Sequence, residues 1–257
     1  MISTAPALRA YYRTLLRAWG PQHWWPARTP FEVILGAFLT QNTAWGNVER
    51  ALANLRRARL LSVAGIRRVR VAHLERLIRP AGYFRQKARR LKAFVAWLDA
   101  SYGGSLARMF SRPTAELRAE LLELNGVGPE TADSILLYAG GHPVFVVDAY
   151  TRRILGRHQI LSFNTPYDNI RQSFERALRS ASEPRRMGRS PRHPVSPMSS
   201  AKFSPVARRY NEMHALLVAV GHKYCRKSKA LCEHCPLAPF LPHRRAALRD
   251  PPAGTIM

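Results

Sequence analysis

Apolar residues in this sequence recur with the period of an α-helix, and no stretch shows the sustained apolar and polar alternation of a β-strand. Two segments show the helical period most clearly, and their apolar residues are Phe31, Ile34, Leu35, Phe38 and Leu39, and then Val206, Tyr210, Met213, Leu217 and Val220. Residues 84–99 form a third amphipathic segment, with Phe84 and Leu91 on its apolar face. The sequence therefore predicts an all-α fold without a sheet of consequence.

The chain is strongly basic. It has 41 lysine and arginine residues against 16 aspartate and glutamate residues, a formal net charge of +25, and this balance implies a polyanionic partner. Nucleic acid is the commonest such partner, and a membrane surface is the competing one. No apolar stretch approaches the ~20 residues that cross a bilayer, and Arg9, Arg13 and Arg17 interrupt the region that a signal peptide would need. We therefore expect a monomeric, cytoplasmic protein, associated with the nucleoid if it is bacterial.

Composition divides the chain into four parts. With 257 residues and 46% hydrophobic content the chain can bury a sizeable core, which we assign to residues 1–179 and 206–224 as one domain of two lobes. Residues 180–205 are rich in proline, serine and arginine, and we expect them to be a disordered basic insertion. A cysteine-rich loop occupies residues 225–242, and a disordered tail is expected over residues 243–257.

A glycine hairpin interrupts the helical pattern in the middle of the chain. An apolar helix ends at Asn125-Gly126, and Pro129 suits the first turn of a second helix. Gly126 and Gly128 let the backbone bend sharply and approach a ligand closely, while Val127 can pack into the core. The N–H groups at the start of the second helix would suit a phosphate. A plain helix–turn–helix connection is the alternative.

A single acidic residue follows the apolar run of residues 144–147. Asp148 lies 18 positions after Glu130, which stands just past the hairpin. The residues that follow Asp148 suit a helix, so its side chain is a candidate N-cap. N–H groups at a helix start would also keep a buried carboxylate ionised, so capping and catalysis are compatible roles.

Two segments carry a resemblance to a known family. The sequence resembles the helix-hairpin-helix and Gly/Pro-Asp signature of the endonuclease III superfamily of DNA glycosylases, in residues 124–132 (LNGVGPETA) and 146–153 (VVDAYTRR). The resemblance runs from about residue 30 to residue 236 and implies a two-lobed helical fold with a cleft for duplex DNA between the lobes. The residues that would contact the DNA backbone at the hairpin are Gly126, Val127, Gly128 and Thr131.

The resemblance gives Asp148 a catalytic role that agrees with its chemistry. Cleavage of an N-glycosidic bond passes through a cationic sugar, which one carboxylate can stabilise while it orients or deprotonates the attacking water. Relatives that also cut the DNA strand carry a lysine where this chain has Glu130, and a carboxylate cannot form the Schiff base that such a lysine forms. We therefore expect base removal without AP-lyase activity, with Lys87 and Lys92 as alternative amines.

Tryptophans near the N-terminus point to the substrate. Trp24, Trp25 and Trp45, together with the LTQNT sequence of residues 39–43, resemble the branch of the superfamily that excises alkylated purines such as 3-methyladenine. A flipped base is held between aromatic walls, and a purine made cationic by alkylation stacks well on indole. Core packing is the alternative role for these tryptophans. The rival substrates are oxidised pyrimidines and mismatched bases, and the rival to an enzyme is a catalytically inactive DNA-binding protein.

The resemblance also assigns three polar residues to DNA contacts. Gln41 occupies the position at which relatives insert a side chain into the gap left by the flipped base, while a helix cap or a surface residue is the ordinary alternative. Arg85 and Lys87 match a segment that lies near the backbone of the bound strand. A solvated helix face is the alternative interpretation of these charges.

Three cysteines resemble an incomplete iron–sulfur loop. Cys225, Cys232 and Cys235 reproduce the spacing of the first three ligands of the 4Fe-4S cluster in endonuclease III relatives, but the position of the fourth ligand is Leu241. Clusters are usually held by four thiolates. The loop therefore holds a 4Fe-4S cluster in an unusual way, holds zinc with a histidine as fourth ligand, or is without metal. The local histidines are His234 and His243.

Overall fold

The computed structural model describes residues 4–24, 26–190, 196–199, 201 and 203–242. Its α-helices are α1 (Thr4–Trp19), α2 (Pro30–Leu39), α3 (Trp45–Arg57), α4 (Val63–Arg68), α5 (Val71–Ile78), α6 (Phe84–Tyr102), α7 (Leu106–Phe110), α8 (Thr114–Leu122), α9 (Pro129–Ser134), α10 (Ala149–Arg157), α11 (Tyr167–Leu178) and α12 (Pro205–Lys223). Further helical turns are Arg79–Ala81, Ile135–Ala139, Cys232–His234 and Ala238–Phe240. These described residues contain no β-strand, which confirms the all-α prediction.

The chain folds as two compact units. The first unit takes residues from 1–24, 143–195 and 202–257, and it contains α1 and α10 to α12. The second unit takes residues from 25–142 and 196–201, and it contains α2 to α9. Two lobes were predicted, and the division into units confirms this. Within the described ranges, none of the helices combines the length and apolar character that crossing a membrane requires.

The second unit is organised around α2. Nine of the ten residues of α2 are buried, so this helix lies inside the unit and has no solvated face. Thr29 caps the helix by accepting a hydrogen bond from the backbone N–H of Glu32, and Pro30 fits the first turn. The Glu32 carboxylate is buried as well, and it pairs with Arg56. This pairing compensates the charge that α2 brings into the core.

The first unit places an extended apolar stretch among its helices. Residues 144–147 are buried, and the ring of Phe145 stacks on that of Phe174 in α11 with centroids 4.1 Å apart. The backbone N–H of Phe145 donates to the Glu175 carboxylate at 3.0 Å, so a side chain satisfies the extended backbone. This stretch leads directly into α10 and thereby fixes the position of the residue between them, Asp148.

Part of the segment 180–205 packs against the end of α1. The N–H of Gly188 donates to the carbonyl of Leu16 at 2.9 Å, and a side chain at Gly188 would collide with the backbone of Ala18. Residues 181–190 form no helix. Disorder of the insertion as a whole stays a prediction, and the tail 243–257 lies outside the described residues.

Candidate active site and DNA-binding hairpin

Asp148 is the N-cap of α10, as its sequence context predicted. Its Oδ1 accepts a hydrogen bond from the backbone N–H of Thr151 at 2.7 Å, and its own backbone is extended. Its Oδ2 lies 3.6 Å from Nε2 of His214. One oxygen of the carboxylate is therefore used for capping, and the second lies against a buried histidine.

The surroundings of Asp148 keep its carboxyl group charged. Burial alone raises the pKa, whereas the adjacent imidazole of His214 and the hydrogen bonding with Thr151 lower it, and the balance puts the pKa below its ordinary value. An ionised carboxylate suits the stabilisation of a positive charge that develops on a substrate. The capping role is thus observed, and the catalytic role of Asp148 stays a prediction.

His214 is a site residue that the sequence analysis missed. It lies on α12, is buried, and its ring centroid is 5.6 Å from that of Trp24. The indole N–H of Trp24 donates to Asn211 Oδ1 at 3.0 Å, which fixes the indole to the same helix. The first unit therefore brings Trp24, His214 and Asp148 together. A histidine inside the apolar period of residues 206–220 was the signal that could have revealed it.

The structure describes one of the other two tryptophans. Trp45 begins α3 in the second unit, and its indole N–H donates to Glu49 Oε1 at 3.0 Å. Trp25 lies outside the described residues. The assignment of Trp24, Trp25 and Trp45 to one base pocket stays a prediction.

The hairpin has the geometry that its glycines predicted. Gly126 has a φ of +80°, Val127 is buried, and α9 begins at Pro129. A methyl group on Gly126 would collide with the Arg90 side chain, whereas a methyl group on Gly128 would meet open space. Gly126 is therefore needed for the left-handed turn, and Gly128 leaves the backbone open to close approach.

Gln41 is bonded to the hairpin. Its Nε2 donates to the carbonyl of Gly126 at 3.0 Å and to Oγ1 of Thr131 at 2.9 Å, and its Oε1 accepts from Nη1 of Arg90 at 2.7 Å. Thr131 is buried, so its hydroxyl supports the hairpin from inside. Insertion of Gln41 into DNA would require these three hydrogen bonds to break, and its intercalating role stays a prediction.

Lys87 does not contact a DNA backbone from its place in the structure, and this prediction is corrected. Its side chain is 1% exposed, and its Nζ donates to the carbonyls of Leu39 and Ala81, each at 2.8 Å. Burial, with a smaller effect of the nearby Arg90 charge, lowers its pKa to about 8. Lys87 therefore holds the end of α2, two residues before Gln41, against the turn that precedes α6.

The loop before α6 exposes an aromatic side chain, Tyr83, which the sequence analysis did not name as a candidate site residue. Tyr83 is 69% exposed and has a φ of +43°, a left-handed conformation that is unfavourable for an aromatic residue. Arg85 is exposed nearby, with its guanidinium 5.8 Å from the centroid of the Phe84 ring. An aromatic residue directly after Gly82 was the signal in the sequence.

Glu130 lies in the first turn of α9 and is exposed. This position holds a lysine in the relatives with lyase activity that the sequence resembles. Here it holds a carboxylate beside the hairpin. Lys92, one of the alternative amines, donates through Nζ to the carbonyl of Arg67 at 2.8 Å. The other, Lys87, is held by two carbonyls. Both lysines have structural roles here.

A basic groove begins beside Asp148, at the start of α10. It is open, and the polar residues that line it are Tyr150, Arg153, His222, Arg226 and Lys227. The guanidinium of Arg153 lies 5.1 Å from the centroid of the Tyr150 ring, and its Nε donates to the carbonyl of Cys225 at 2.7 Å. Positive charge therefore lies next to the catalytic candidate, as the binding of a phosphate backbone requires.

The three cysteines fit a four-thiolate cluster only in part. Cys225, Cys232 and Cys235 line one cavity, and Leu241 completes its wall at the position of the missing ligand. His158 also lines it, but its Nδ1 is hydrogen-bonded to the hydroxyl of Tyr11 at 2.7 Å. Across the described residues, no group of three or more His, Cys, Asp or Glu residues is arranged to hold a metal ion. His234 is not among the residues that line this cavity, and His243 lies outside the described residues.

A glycine hairpin and a largely buried, ionised aspartate at a helix start are together typical of a class of helical enzymes that act on DNA. The profile of the HhH-GPD superfamily of base excision DNA repair proteins matches residues 35–180, which include both features. The chain belongs to this superfamily and is a DNA glycosylase.

Individual relatives agree with this membership. The chain is 43% identical, over 89% of its length and 93% of the relative's, to a Methanocaldococcus jannaschii protein provisionally named a DNA repair glycosylase. It is 26% identical to endonuclease III of Thermotoga maritima, with 80% and 79% of the two chains covered. Among solved structures it is similar to H. pylori 3-methyladenine DNA glycosylase bound to 1,N6-ethenoadenine, with a TM-score of 0.66, 27% identity, and 85% and 97% of the two chains covered.

Proposed function

We propose that this protein is a monofunctional DNA glycosylase that hydrolyses the bond between an alkylated purine and its deoxyribose in duplex DNA. The observation that carries the proposal is Asp148, whose Oδ1 caps α10 while Oδ2 faces His214. A carboxylate held in this way is ionised and fixed in position. Both properties are needed beside a reacting sugar carbon.

The chemistry follows from the charge of Asp148. As the glycosidic bond breaks, its electron pair leaves with the base, and the sugar becomes an oxocarbenium-like cation. Asp148 stabilises that cation and takes a proton from the water that attacks it, which leaves an abasic site. A purine alkylated to a cation leaves as a neutral base, so no proton has to be supplied to it.

Trp24 supports the choice of an alkylated purine. Its indole lies close to His214, which itself lies against Asp148. An indole face attracts a cationic ring. The solved relative with 27% identity is a 3-methyladenine glycosylase with a modified adenine bound. Trp25 and Trp45 are included in the proposed pocket on the sequence resemblance alone.

Two observations support hydrolysis without strand cleavage. Glu130 stands where a lyase would need its amine, and a carboxylate forms no Schiff base. Lys87 and Lys92 both donate to backbone carbonyls. We therefore propose that the protein leaves the DNA strand intact and that a separate endonuclease acts next.

The test is incubation of the protein with an end-labelled duplex that contains one alkylated purine, followed by electrophoresis with and without alkali. We expect breaks only after alkali. Asp148→Asn is the matched variant, since asparagine caps a helix as well as aspartate does, and it should lower the excision rate by at least about 100-fold. Breaks without alkali would contradict the proposal for Glu130. If only oxidised pyrimidines or mismatched bases are excised, those bases are the substrates and the proposal of an alkylated purine is wrong. If no base is excised, the protein is a catalytically inactive DNA-binding protein.

A 4Fe-4S cluster is the cofactor that the cysteine spacing suggests, and Cys225, Cys232 and Cys235 would be its ligands here. Because Leu241 cannot donate to iron, the cavity supplies three thiolates. No step of the proposed reaction depends on a cluster. Iron and acid-labile sulfide contents of the purified protein measure whether one is present.

A further inference from the structure

An open cavity in the second unit is surrounded by arginine. It has a volume of about 570 Å³ and lies between the end of α3, α4 and the first turns of α5. We call it the arginine pocket, and its charged or titratable residues are Arg59, Arg68, Arg70, His73 and Arg76. Within the described part of the chain, no carboxylate lines it. Glu75, the acidic residue on α5, is not part of its wall.

The four guanidinium groups of the arginine pocket have no partners among the described residues. None of them takes part in an ion pair or a side-chain hydrogen bond there. Other arginines of the same unit do, since Arg56, Arg67 and Arg118 pair with carboxylates. Four like charges around one concavity repel one another, and a bound anion relieves that repulsion.

We propose that the arginine pocket binds phosphate groups of a DNA strand, as a contact additional to the hairpin. Guanidinium groups bind phosphate oxygens in a two-pronged geometry. Apart from the His73 imidazole, the described residues that line the pocket carry no aromatic ring on which a base could stack. The pocket therefore suits a backbone contact that adds affinity without reading sequence.

The helices indicate how far the arginine pocket lies from Gln41 and from Tyr83. α3 begins four residues after Gln41 and ends at the arginine pocket, so it spans about 20 Å. α5 begins at the pocket and ends just before the turn that leads to Tyr83, so it spans about 12 Å. A DNA strand that runs along these helices would place the contacted phosphate about four to six nucleotides from the nucleotide beside Gln41 or Tyr83.

The test measures binding of an undamaged duplex by fluorescence anisotropy over a range of salt concentrations. The doubly substituted variant Arg68→Gln with Arg76→Gln should lower the slope of log affinity against log salt by about 1 to 2, since each phosphate contact contributes about 0.9. The matched control, Arg108→Gln with Arg112→Gln, removes the same charge from exposed residues of the same unit and should leave the slope unchanged. Equal slopes for the two variants would overturn the proposal.

Two further measurements distinguish a phosphate contact with DNA from misfolding and from a site for a free anion. Arg68→Lys with Arg76→Lys keeps the charge and should keep the wild-type slope, whereas a slope as low as that of the glutamine variant would indicate misfolding and overturn the proposal. If inorganic phosphate binds in the arginine pocket while the glutamine variant keeps the wild-type slope on DNA, the pocket is a site for a free anion and the proposal is overturned. Undamaged DNA makes the outcome independent of base excision, so failure of the proposed function would leave this test intact.

Discussion

At the scale of the residue, the charge of Asp148 is largely enclosed by protein, and each oxygen of its carboxylate has its own partner. Thr151 and the start of α10 hold one oxygen, and His214 faces the other. Burial works against the charged form, so the low pKa of Asp148 depends on these partners. A substitution of His214 should therefore change the pKa of Asp148 while Asp148 itself stays in place.

Substitution of His214→Gln should move the acid limb of the rate profile to higher pH. The variant loses the imidazole that lowers the pKa of Asp148, so burial raises that pKa and the carboxylate is protonated at a higher pH. Single-turnover excision rates measured across the acid range check this. His142→Gln, which changes a buried histidine of the other unit, is the control. An unchanged acid limb would contradict the role given to His214.

Lys87→Met should lower the free energy of unfolding by about 1 to 3 kcal/mol. The substitution leaves the carbonyls of Leu39 and Ala81 without their donor inside the protein. Urea denaturation at neutral pH measures the change. Lys92→Met, which removes one donor at a more exposed position, should cost less, and equal losses for both variants would count against the buried anchor.

Roles that depend on neighbours in the chain could be predicted from the sequence, whereas contacts between distant residues could not. The capping role of Asp148 follows from its neighbours in the chain. The contact with His214 joins residues 66 positions apart, so no local pattern contains it. The burial of Lys87 was available from the sequence, since it lies three residues after Phe84 and four before Leu91, on the apolar face of α6.

At the scale of the element, the hairpin combines two glycines with different tasks. Gly126 has the left-handed backbone and meets Arg90, whereas Gly128 has an ordinary backbone and open space. The network of Gln41 holds the Gly126 carbonyl in place. The period of the sequence predicted both flanking helices, but it could not show that Gln41 ties a different segment to this turn.

Alanine at the two glycines should give opposite results. Gly126→Ala should destabilise the fold by at least about 1 kcal/mol, because the new methyl group meets Arg90 and the backbone is strained. Gly128→Ala should leave the melting temperature nearly unchanged and weaken DNA binding, because the methyl group keeps a phosphate from the backbone. Thermal melting and anisotropy on one duplex measure both effects. Normal DNA affinity in a folded Gly128→Ala variant would exclude close approach at this point.

At the scale of the whole molecule, the two units differ in how the chain builds them. The second unit takes nearly all its residues from one continuous stretch, 25–142, whereas the first joins residues from both ends of the chain. In the first unit α1 packs against α11 and α12 and buries six residues there. Composition predicted two lobes, but which segments share a lobe depends on contacts between distant parts of the chain.

Fragments of the chain should therefore behave unequally. Residues 25–142 expressed alone should fold and melt cooperatively, since they keep almost all of their own core. Residues 143–257 alone should not, because the apolar faces of α11 and α12 lose α1. Far-ultraviolet circular dichroism during heating distinguishes the two, and addition of a peptide of residues 1–24 should restore helix in the second fragment. Cooperative melting of residues 143–257 without that peptide would show that α1 is dispensable.

The interrupted first unit also sets an order of events on the ribosome. Residues 25–142 can fold while the rest of the chain is still being made, but Asp148 gains His214 only when α12 has emerged. At typical synthesis rates, the roughly 80 residues between these stages take about 4 to 16 s. A polypeptide released early would carry the hairpin without the contact between Asp148 and His214, so under the proposed function it would bind DNA and excise no base.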